Sequence, residues 1–479
     1  MSLSTAFGNA LSGLNVASRG TQVVSSNIAN AQTDGYGRRV LETSSAGTHG
    51  SGSGVRIEGV QRQSDVQLLT DRRMAEAETS QLQTRADALS SIEAAMGTPD
   101  EEYSIAGRIA ALESALVNAA SRPDSETRLA DVLNAAYAVT DSINDATDTI
   151  QELRTEAEKA IAQDVDTLNN TLERVVDLNN QIKRYVNSGY DYNGLLDQRQ
   201  VLIDQISEIV PVRQIARPNE EVALYTENGA ILLDGRAAEI GFESTSYIDA
   251  SMSVEDGQLN GLTLNGNPIS VAGSRALMGG GRLEGLFDQR DTITTEAQTN
   301  LDALARNLIE RFEGVDVDGT GAGLFTDSGS ALNIVLPEDE VGLSDRIEIN
   351  SNGDTLWRLR SGLGAATPGE VGDATLLNAY ADALSSSGVP ASGDFTIRSY
   401  SAAELATETV NAVSVKALQV EQEASLSSAR TTALMETEAA NGVDTDAELQ
   451  DLLRYEEAYI ANARVIQTLE TMMNALLEL

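Results

Sequence analysis

The chain reads as a mainly helical α+β protein. The expected architecture is an elongated helical bundle with terminal coiled-coil helices paired together and an inserted antiparallel β module. Three observations predict this. Near both ends, apolar and small residues recur at alternating steps of three and four, the seam pattern of a coiled coil. From Pro123 to Gly189 no Pro or Gly interrupts a helical pattern. Between Pro211 and Ala276 the pattern switches to β-branched residues separated by frequent turn signals.

The first seam is Leu3, Phe7, Ala10, Leu14, Ala17, Thr21, Val24, Ile28 and Ala31, with Ser2 placed to cap it and Asp34-Gly35-Tyr36-Gly37 to stop it. Leu68, Ala75, Leu82, Leu89 and Met96 recur at sevens with Ile92 on the same stripe, and a shorter helix is expected from Ile105 to Ala120. The long pattern runs from Leu129 to Val186; sixty-odd residues at ~1.5 Å each make a rod of roughly 90 Å. Asn228-Gly229, Asp234-Gly235, Asp256-Gly257 and Asn265-Gly266 then bound short strands. Helix resumes from Arg282 to Phe312. A mixed stretch from Val315 to Leu359 follows, then helices near Asp373–Leu384 and Ala402–Glu438, with Asn441-Gly442 as a stop. In the last segment Thr445 and Glu448 have capping-box spacing, ahead of a seam of Leu452, Tyr455, Tyr459, Asn462, Ile466, Leu469, Met473 and Leu476. Asn462, polar in an apolar seam, costs stability and fixes register. Neither narrow seam can be buried by its own helix, so the two ends pair with each other or with neighbouring copies.

Lys and Arg total 33 against 73 Asp and Glu, a formal charge of −40 in 479 residues. Such a surface repels phosphate backbones and anionic lipid, so no nucleic acid and no membrane insertion is expected. Apolar residues at 41% supply real cores, for about three domains at ~150 residues each. The absence of Cys excludes disulfides, thiolate metal sites and cysteine nucleophiles. The polar start carries no apolar signal core, which points to a cytosolic chain or one exported without a cleaved signal.

Chemistry-bearing motifs are few. Asp316-Val317-Asp318-Gly319 opens like a calcium loop, but its twelfth position is Asp327 rather than the bidentate Glu. Gly279-Gly280-Gly281 precedes a helix without the Lys-Ser/Thr of a phosphate loop and reads as a hinge. His49, the sole histidine, lies in a Gly/Ser-rich stretch that supplies no orienting partner for a base. Gly194-Leu195-Leu196-Asp197-Gln198-Arg199 is echoed by Gly285-Leu286-Phe287-Asp288-Gln289-Arg290; we read both as similar helix starts, with Asp favoured by the dipole. No catalytic residue, cofactor or metal is expected, and the chain reads as a non-enzyme.

The ends carry a more specific signal. Ser18-Arg19-Gly20, Asn27-Ile28-Ala29-Asn30 and Thr33-Asp34-Gly35-Tyr36 resemble the N-terminal signature of the flagellar axial proteins of the rod, hook and hook–filament junction, with Asp34 where that family usually has Pro. The run from Ala458 to Thr468 is similar to the family's C-terminal signature. Asn193–Arg199 and Gly281–Arg290 resemble segments of its junction members. The short tract after Phe325 implies that an outer domain of some members is reduced or missing.

This resemblance implies a structural flagellar component, secreted through type III export to the cell exterior and placed between hook and filament. The implied partners are a ring of identical copies, the hook protein, a flagellin-like second junction protein, and an export chaperone at the C-terminal helix. It implies an inner-tube domain of residues 1–45 with 440–479. A helical bundle of 46–210 with 281–439 would contain a mixed segment 313–400, and 211–280 would form an outer β domain. The expected assembly interface comprises Leu3, Phe7, Leu14, Val24, Ile28, Asn30, Leu452, Tyr455, Tyr459, Asn462, Ile466, Leu469, Met473 and Leu476. A hook or distal-rod protein is the nearest alternative; a secreted glycan-binding or enzymatic module on a flagellar scaffold is the other.

Overall fold

The computed structural model describes residues 3–46, 54–271, 273, 276–315, 321–395 and 397–477. His49 and Asp316-Val317-Asp318 of the calcium-like loop lie outside them, as does Ser2. In chain order the structure runs α1 (Leu3–Asn30), β1 (Arg39–Ser45), β2 (Val55–Arg62), α2 (Val66–Met96), α3 (Ile105–Ala120), α4 (Glu126–Ser188), α5 (Asn193–Ile209), β3 (Val212–Ala216), β4 (Val222–Thr226), β5 (Ile231–Asp234) and β6 (Arg236–Ala237). It continues with β7 (Ile240–Gly241), β8 (Leu262–Leu264), β9 (Asn267–Ile269), α6 (Gly281–Asp288), α7 (Thr294–Glu313), β10 (Phe325–Asp327), α8 (Leu343–Arg346), β11 (Ile347–Ile349), α9 (Arg358–Ser361), α10 (Thr375–Ser385), α11 (Ala402–Ala440) and α12 (Thr445–Leu477). The fold is mainly α with small antiparallel sheets, as the sequence predicts. The uninterrupted pattern after Pro123 is a single helix of 63 residues.

The chain folds as two compact units, one of residues 1–77, 167–239 and 427–479, the other of 78–166 and 240–426. The boundaries fall inside α2, α4 and α11, and residues 211–280 are shared between the two units.

In the first unit β3-β4-β5-β6 form a four-stranded meander and β1-β2 a hairpin. This hairpin is not among the expected elements: Val55-Arg56-Ile57-Glu58 alternates apolar and polar residues, but Val55 and Ile57 are exposed, so the alternation marks no buried face. Asn179 of α4 substitutes for a strand: its Nδ2 donates to Val222 O at 2.9 Å and its Oδ1 accepts from Val222 N at 3.3 Å.

In the second unit a continuous core joins Ile92, Ile109, Leu116, Val139, Leu304, Phe312, Phe325 and Leu405, all essentially inaccessible. Phe312 packs edge-on to Phe325 at 4.9 Å between ring centroids. The helix expected from Arg282 to Phe312 is divided by a π turn at Gln289–Ile293. The insertion has a cause in side-chain bonding. Thr294 Oγ1 donates to the carbonyls of Gln289 and Arg290, and Arg154 Nε donates to Arg290 O at 3.2 Å, so the loosened turn leaves its carbonyls paired.

Arg290 itself is fully buried, with Glu158 at 2.5 Å and Asp291 at 2.7 Å. Arg154 reaches across to the carbonyls of Asp249 and Met252, each at 2.7 Å, and so holds the loop before β8. At the start of α6, Gly280 and Gly281 have φ of 85° and 71°, and Gly280 N–H donates to the Glu284 carboxylate. The anion at this helix start is the chain's own side chain.

Candidate assembly interface

The two terminal helices pair with each other, and glycine sets their register. An added Cβ on Gly13 would lie 2.6 Å from Asn462 Nδ2, and one on Gly20 would lie 2.6 Å from Tyr455 Cδ1. Seven residues further along α1, Asn27 Nδ2 donates to Glu448 Oε2 at 3.0 Å. Each step of seven along α1 is thus matched by seven backwards along α12, an antiparallel pair in one register. Asn462 is a knob in the gap at Gly13, with its amide turned back to Ala458 O at 2.8 Å. The polar seam residue therefore selects register by fitting a glycine and satisfies itself within its own helix.

The buried face of α1 shares Ala10, Ala17 and Val24 with the expected seam and extends from there to Gly20, Val23 and Asn27. Ala10, Ala17, Gly20, Val23, Val24 and Asn27 are buried, and small residues make the close approach. Of the expected interface residues on α1, Val24 is buried; Leu3, Leu14, Ile28 and Asn30 are half-buried; Phe7 is 40% exposed. On α12, Leu452, Tyr455, Asn462, Ile466 and Leu469 are half-buried against the pair, while Tyr459 and Met473 are exposed. The side chain of Leu476 lies outside the described residues. Gly13 and Gly20 each lie one position beside the expected seam residues Leu14 and Thr21, and their own seven-residue spacing is visible in the sequence.

α12 also exposes Leu449, Leu453, Ile460, Val465 and Met472, and α1 exposes Leu11. At 100° per residue, Leu449, Leu453 and Ile460 share one stripe, Val465 and Met472 a second, and the seam a third. A helix that is apolar on several sides belongs inside an assembly or a core.

The pair is pinned at the end of α1 by Asn27, which is 1% exposed. Its Oδ1 accepts from Arg39 N at 3.0 Å and from Tyr36 Oη at 2.9 Å, and its Nδ2 donates to Arg39 O at 2.9 Å besides Glu448. Glu448, equally buried, accepts from Arg38 Nε at 2.8 Å. It is Asp444, not Thr445, that caps α12, through Asp446 N at 2.9 Å and Ala447 N at 3.1 Å; Glu448 is thereby released for the pair. Burial, with Asp451 and Glu448 close by, pushes the Tyr455 phenol up.

Asp197 gathers the next layer. It accepts from Gly37 N at 3.0 Å, Arg39 Nη2 at 3.0 Å and Arg62 Nε at 2.7 Å. Arg39 and Arg62 face each other across β1–β2, a like-charge pair whose repulsion Asp197 offsets by bridging the two. Asp288, its echo, pairs with Arg85 in the second unit. Both aspartates are explained by arginine partners rather than by a helix dipole. Gly35 (φ 73°) lets the turn pass Val201, where an added Cβ would lie 2.6 Å from Cγ2. Among the described residues no group of three metal-ligating side chains occurs, and no helix is long and apolar enough to cross a membrane.

Three family descriptions match the chain: the flagellar hook-associated protein FlgK helical domain over residues 89–331, the C-terminal region of basal body rod FlgEFG proteins over 439–479, and flagella basal body rod proteins over 7–36. Flagellar hook-associated protein 1 of Salmonella typhimurium is 26% identical over 346 residues, 69% of this chain and 60% of that one. The Escherichia coli protein of the same name is 25% identical, covering 66% and 59%. That of Bacillus subtilis is 22% identical, covering 92% and 91%. The chain thus matches about 60% of the length of the Salmonella and Escherichia relatives. The solved flagellar hook junction protein FlgK from Burkholderia pseudomallei aligns with a TM-score of 0.42 at 20% identity, over 55% of this chain and 45% of that one.

Proposed function

The chain belongs to the family of the flagellar hook-associated protein FlgK helical domain, and on that premise we propose that it is a structural part of the bacterial flagellum that joins hook to filament. The observation that carries this reading is the terminal pair. Its own closure uses glycine and alanine, while Phe7, Leu11, Leu453, Ile460 and Met473 remain open to water. Neighbouring copies would cover those residues at roughly 1.5–3 kcal/mol for each large side chain fully buried. Part of that gain goes into ordering the segments. In this reading residues 1–45 and 440–479 form the inner-tube layer, 46–210 and 281–439 the bundle around it, and 211–280 the outer face.

The partners are identical copies in a ring, the hook protein, the second junction protein, and an export chaperone that covers the exposed stripe of α12 before assembly. The chain is secreted and extracellular, it does no catalysis, and no nucleic acid or membrane is among its partners. The matches at both ends are common to rod-type axial proteins, so it is the helical-domain match over 89–331 that favours the junction over the hook or distal rod.

The test is a strain lacking this chain, viewed by electron microscopy. Hooks without filaments, with filament protein released unassembled, are expected; absent hooks would assign the chain to the rod or hook. In the purified protein, amides of α1 and α12 should exchange faster in dilute monomer than in assembled hooks. Equal, strong protection in both states would refute assembly through these helices.

A further inference from the structure

The first unit contains a second built feature that the assembly reading leaves unused. A cavity of about 280 Å³ lies among α2, α5 and the connection from β3 to β4, and the side chains of Arg62, Arg73 and Arg199 all line it. In a chain of net charge −40 this convergence of guanidinium groups runs against the composition. Arg62 and Arg73 have carboxylate partners, Asp197 at 2.7 Å and Asp204 at 2.6 Å. Arg73 also donates from Nη1 to Gln214 Oε1 at 3.2 Å, yet its Nη2 is buried without a hydrogen-bond partner, in a side chain only 2% exposed.

Arg199, 6% exposed, donates to two neutral oxygens, Asn179 Oδ1 at 2.9 Å and the Glu220 carbonyl at 2.6 Å. Among the described residues no carboxylate hydrogen-bonds to it. The acids facing the cavity are Glu220, exposed at the mouth, and Glu221, which Lys183 engages at 3.2 Å; Arg217 on the same rim is held by Asp234 at 2.7 Å. Burial, with Arg62 and Arg73 close by and only Glu220 opposing, pushes the Arg199 guanidinium down to about 10. The Glu220 carbonyl reaches Arg199 from a turn in which Asn219 and Glu220 both have φ of 61°, left-handed backbone at two successive non-glycine residues.

We propose that this cavity binds one small oxyanion of the phosphate or sulfate class between Arg73 and Arg199. A planar guanidinium presents paired donors that match an oxyanion's oxygens, and such an anion would use the unpaired Arg73 Nη2 and supply Arg199 with the charge partner it lacks. Buried cationic charge without a partner is costly, which gives the anion its driving force. With a water taking ~30 Å³, the cavity has room for phosphate and a few waters and is below the usual size of sites for larger ligands. Bound there, the anion would tie β2, α2 and α5 together. The inference is independent of the flagellar reading.

The test uses the full-length purified chain, titrated with sodium phosphate and, in parallel, with sodium chloride at matched ionic strength. Binding is read by calorimetry and by the thermal midpoint. Saturable binding of one phosphate per chain is expected, with a midpoint that climbs with phosphate concentration and not with chloride. Arg199→Gln should weaken binding at least tenfold with the far-ultraviolet circular dichroism unchanged. Arg213→Gln, exposed and outside the cavity, should bind as the parent does. Gln214→Glu places a carboxylate within reach of Arg73; it should raise the midpoint without phosphate and abolish the response to phosphate. This second variant decides the matter if Arg199→Gln does not fold. Equal midpoints in phosphate and chloride, undiminished binding by a folded Arg199→Gln, or phosphate binding retained by Gln214→Glu would each overturn the proposal.

Discussion

Glycine-to-alanine substitutions along α1 should change stability with opposite signs, depending on whether the glycine meets α12. Gly8 has nothing within 4 Å of an added Cβ. Gly8→Ala should therefore stabilise the helix by about 0.5–1 kcal/mol, because alanine loses less backbone freedom on ordering. Gly20→Ala makes the same gain but drives a methyl group into the Tyr455 ring, 2.6 Å from Cδ1. Overpacking of that kind costs about 1–3 kcal/mol, so the net effect runs from near zero to a loss of about 2 kcal/mol. The two variants should differ by about 1–3 kcal/mol, roughly fivefold to 150-fold in the local opening equilibrium. Amide hydrogen exchange of α1 in the monomer measures that equilibrium directly. Gly13→Ala should fall between the two, since Asn462 has more freedom to move aside than a tyrosine ring does. Combining Gly20→Ala with Tyr455→Ala should recover part of the loss, with a coupling that a double-mutant cycle extracts. If Gly20→Ala protects α1 as well as Gly8→Ala does, the antiparallel register is wrong, and with it the claim that small residues close the pair.

Three further outcomes follow from the buried polar groups and one close approach. Glu158→Gln removes one of the two carboxylates paired with the fully buried Arg290 and leaves Asp291 in place; it should cost about 1–3 kcal/mol in the urea unfolding of the second unit. Gly285→Ala should cost about 1–3 kcal/mol by the same assay, because its methyl would lie 2.9 Å from the backbone oxygen of Gln81 in α2, which cannot swing away. Burial pushes the Asp302 carboxyl up despite bonds from Ser344, Gly342 and Gln298. Its contribution is complete below the unfolded pKa and is lost as pH rises through the folded value. The parent should therefore gain stability relative to Asp302→Asn as pH falls from 7 toward 4 in urea titrations; a gap constant over that range would show that Asp302 titrates normally.

Much of the helical frame was legible because it depends on spacing alone. A long helix without Pro or Gly, a stop at Asn441-Gly442 and closely spaced turns after Pro211 are local statements, and the observed elements follow them. The hairpin of β1 and β2 was missed although Val55-Arg56-Ile57-Glu58 alternates, since the run is short, is broken at Gly59 and faces no core. The π turn after α6 was hidden for another reason: it is held open by Arg154, 136 residues away in sequence from the carbonyl it reaches. Thr445 has the spacing of a capping residue, yet Asp444 takes the role, and Glu448 is free to meet Asn27 and Arg38.

By itself the sequence determined the class of protein, the extents of the long helices and the presence of an unfinished apolar stripe at each end, because these follow from periodicity and composition along one stretch of chain. Only the tertiary structure decided which face of α1 meets α12, which arginine holds Asp197 or Asp288, and where guanidinium groups converge on a cavity. Those outcomes depend on distances between residues tens to hundreds of positions apart. A spacing rule is blind to them, since a glycine on a seam or an aspartate at a helix start looks the same whether or not a tyrosine ring or an arginine arrives from the other end of the chain.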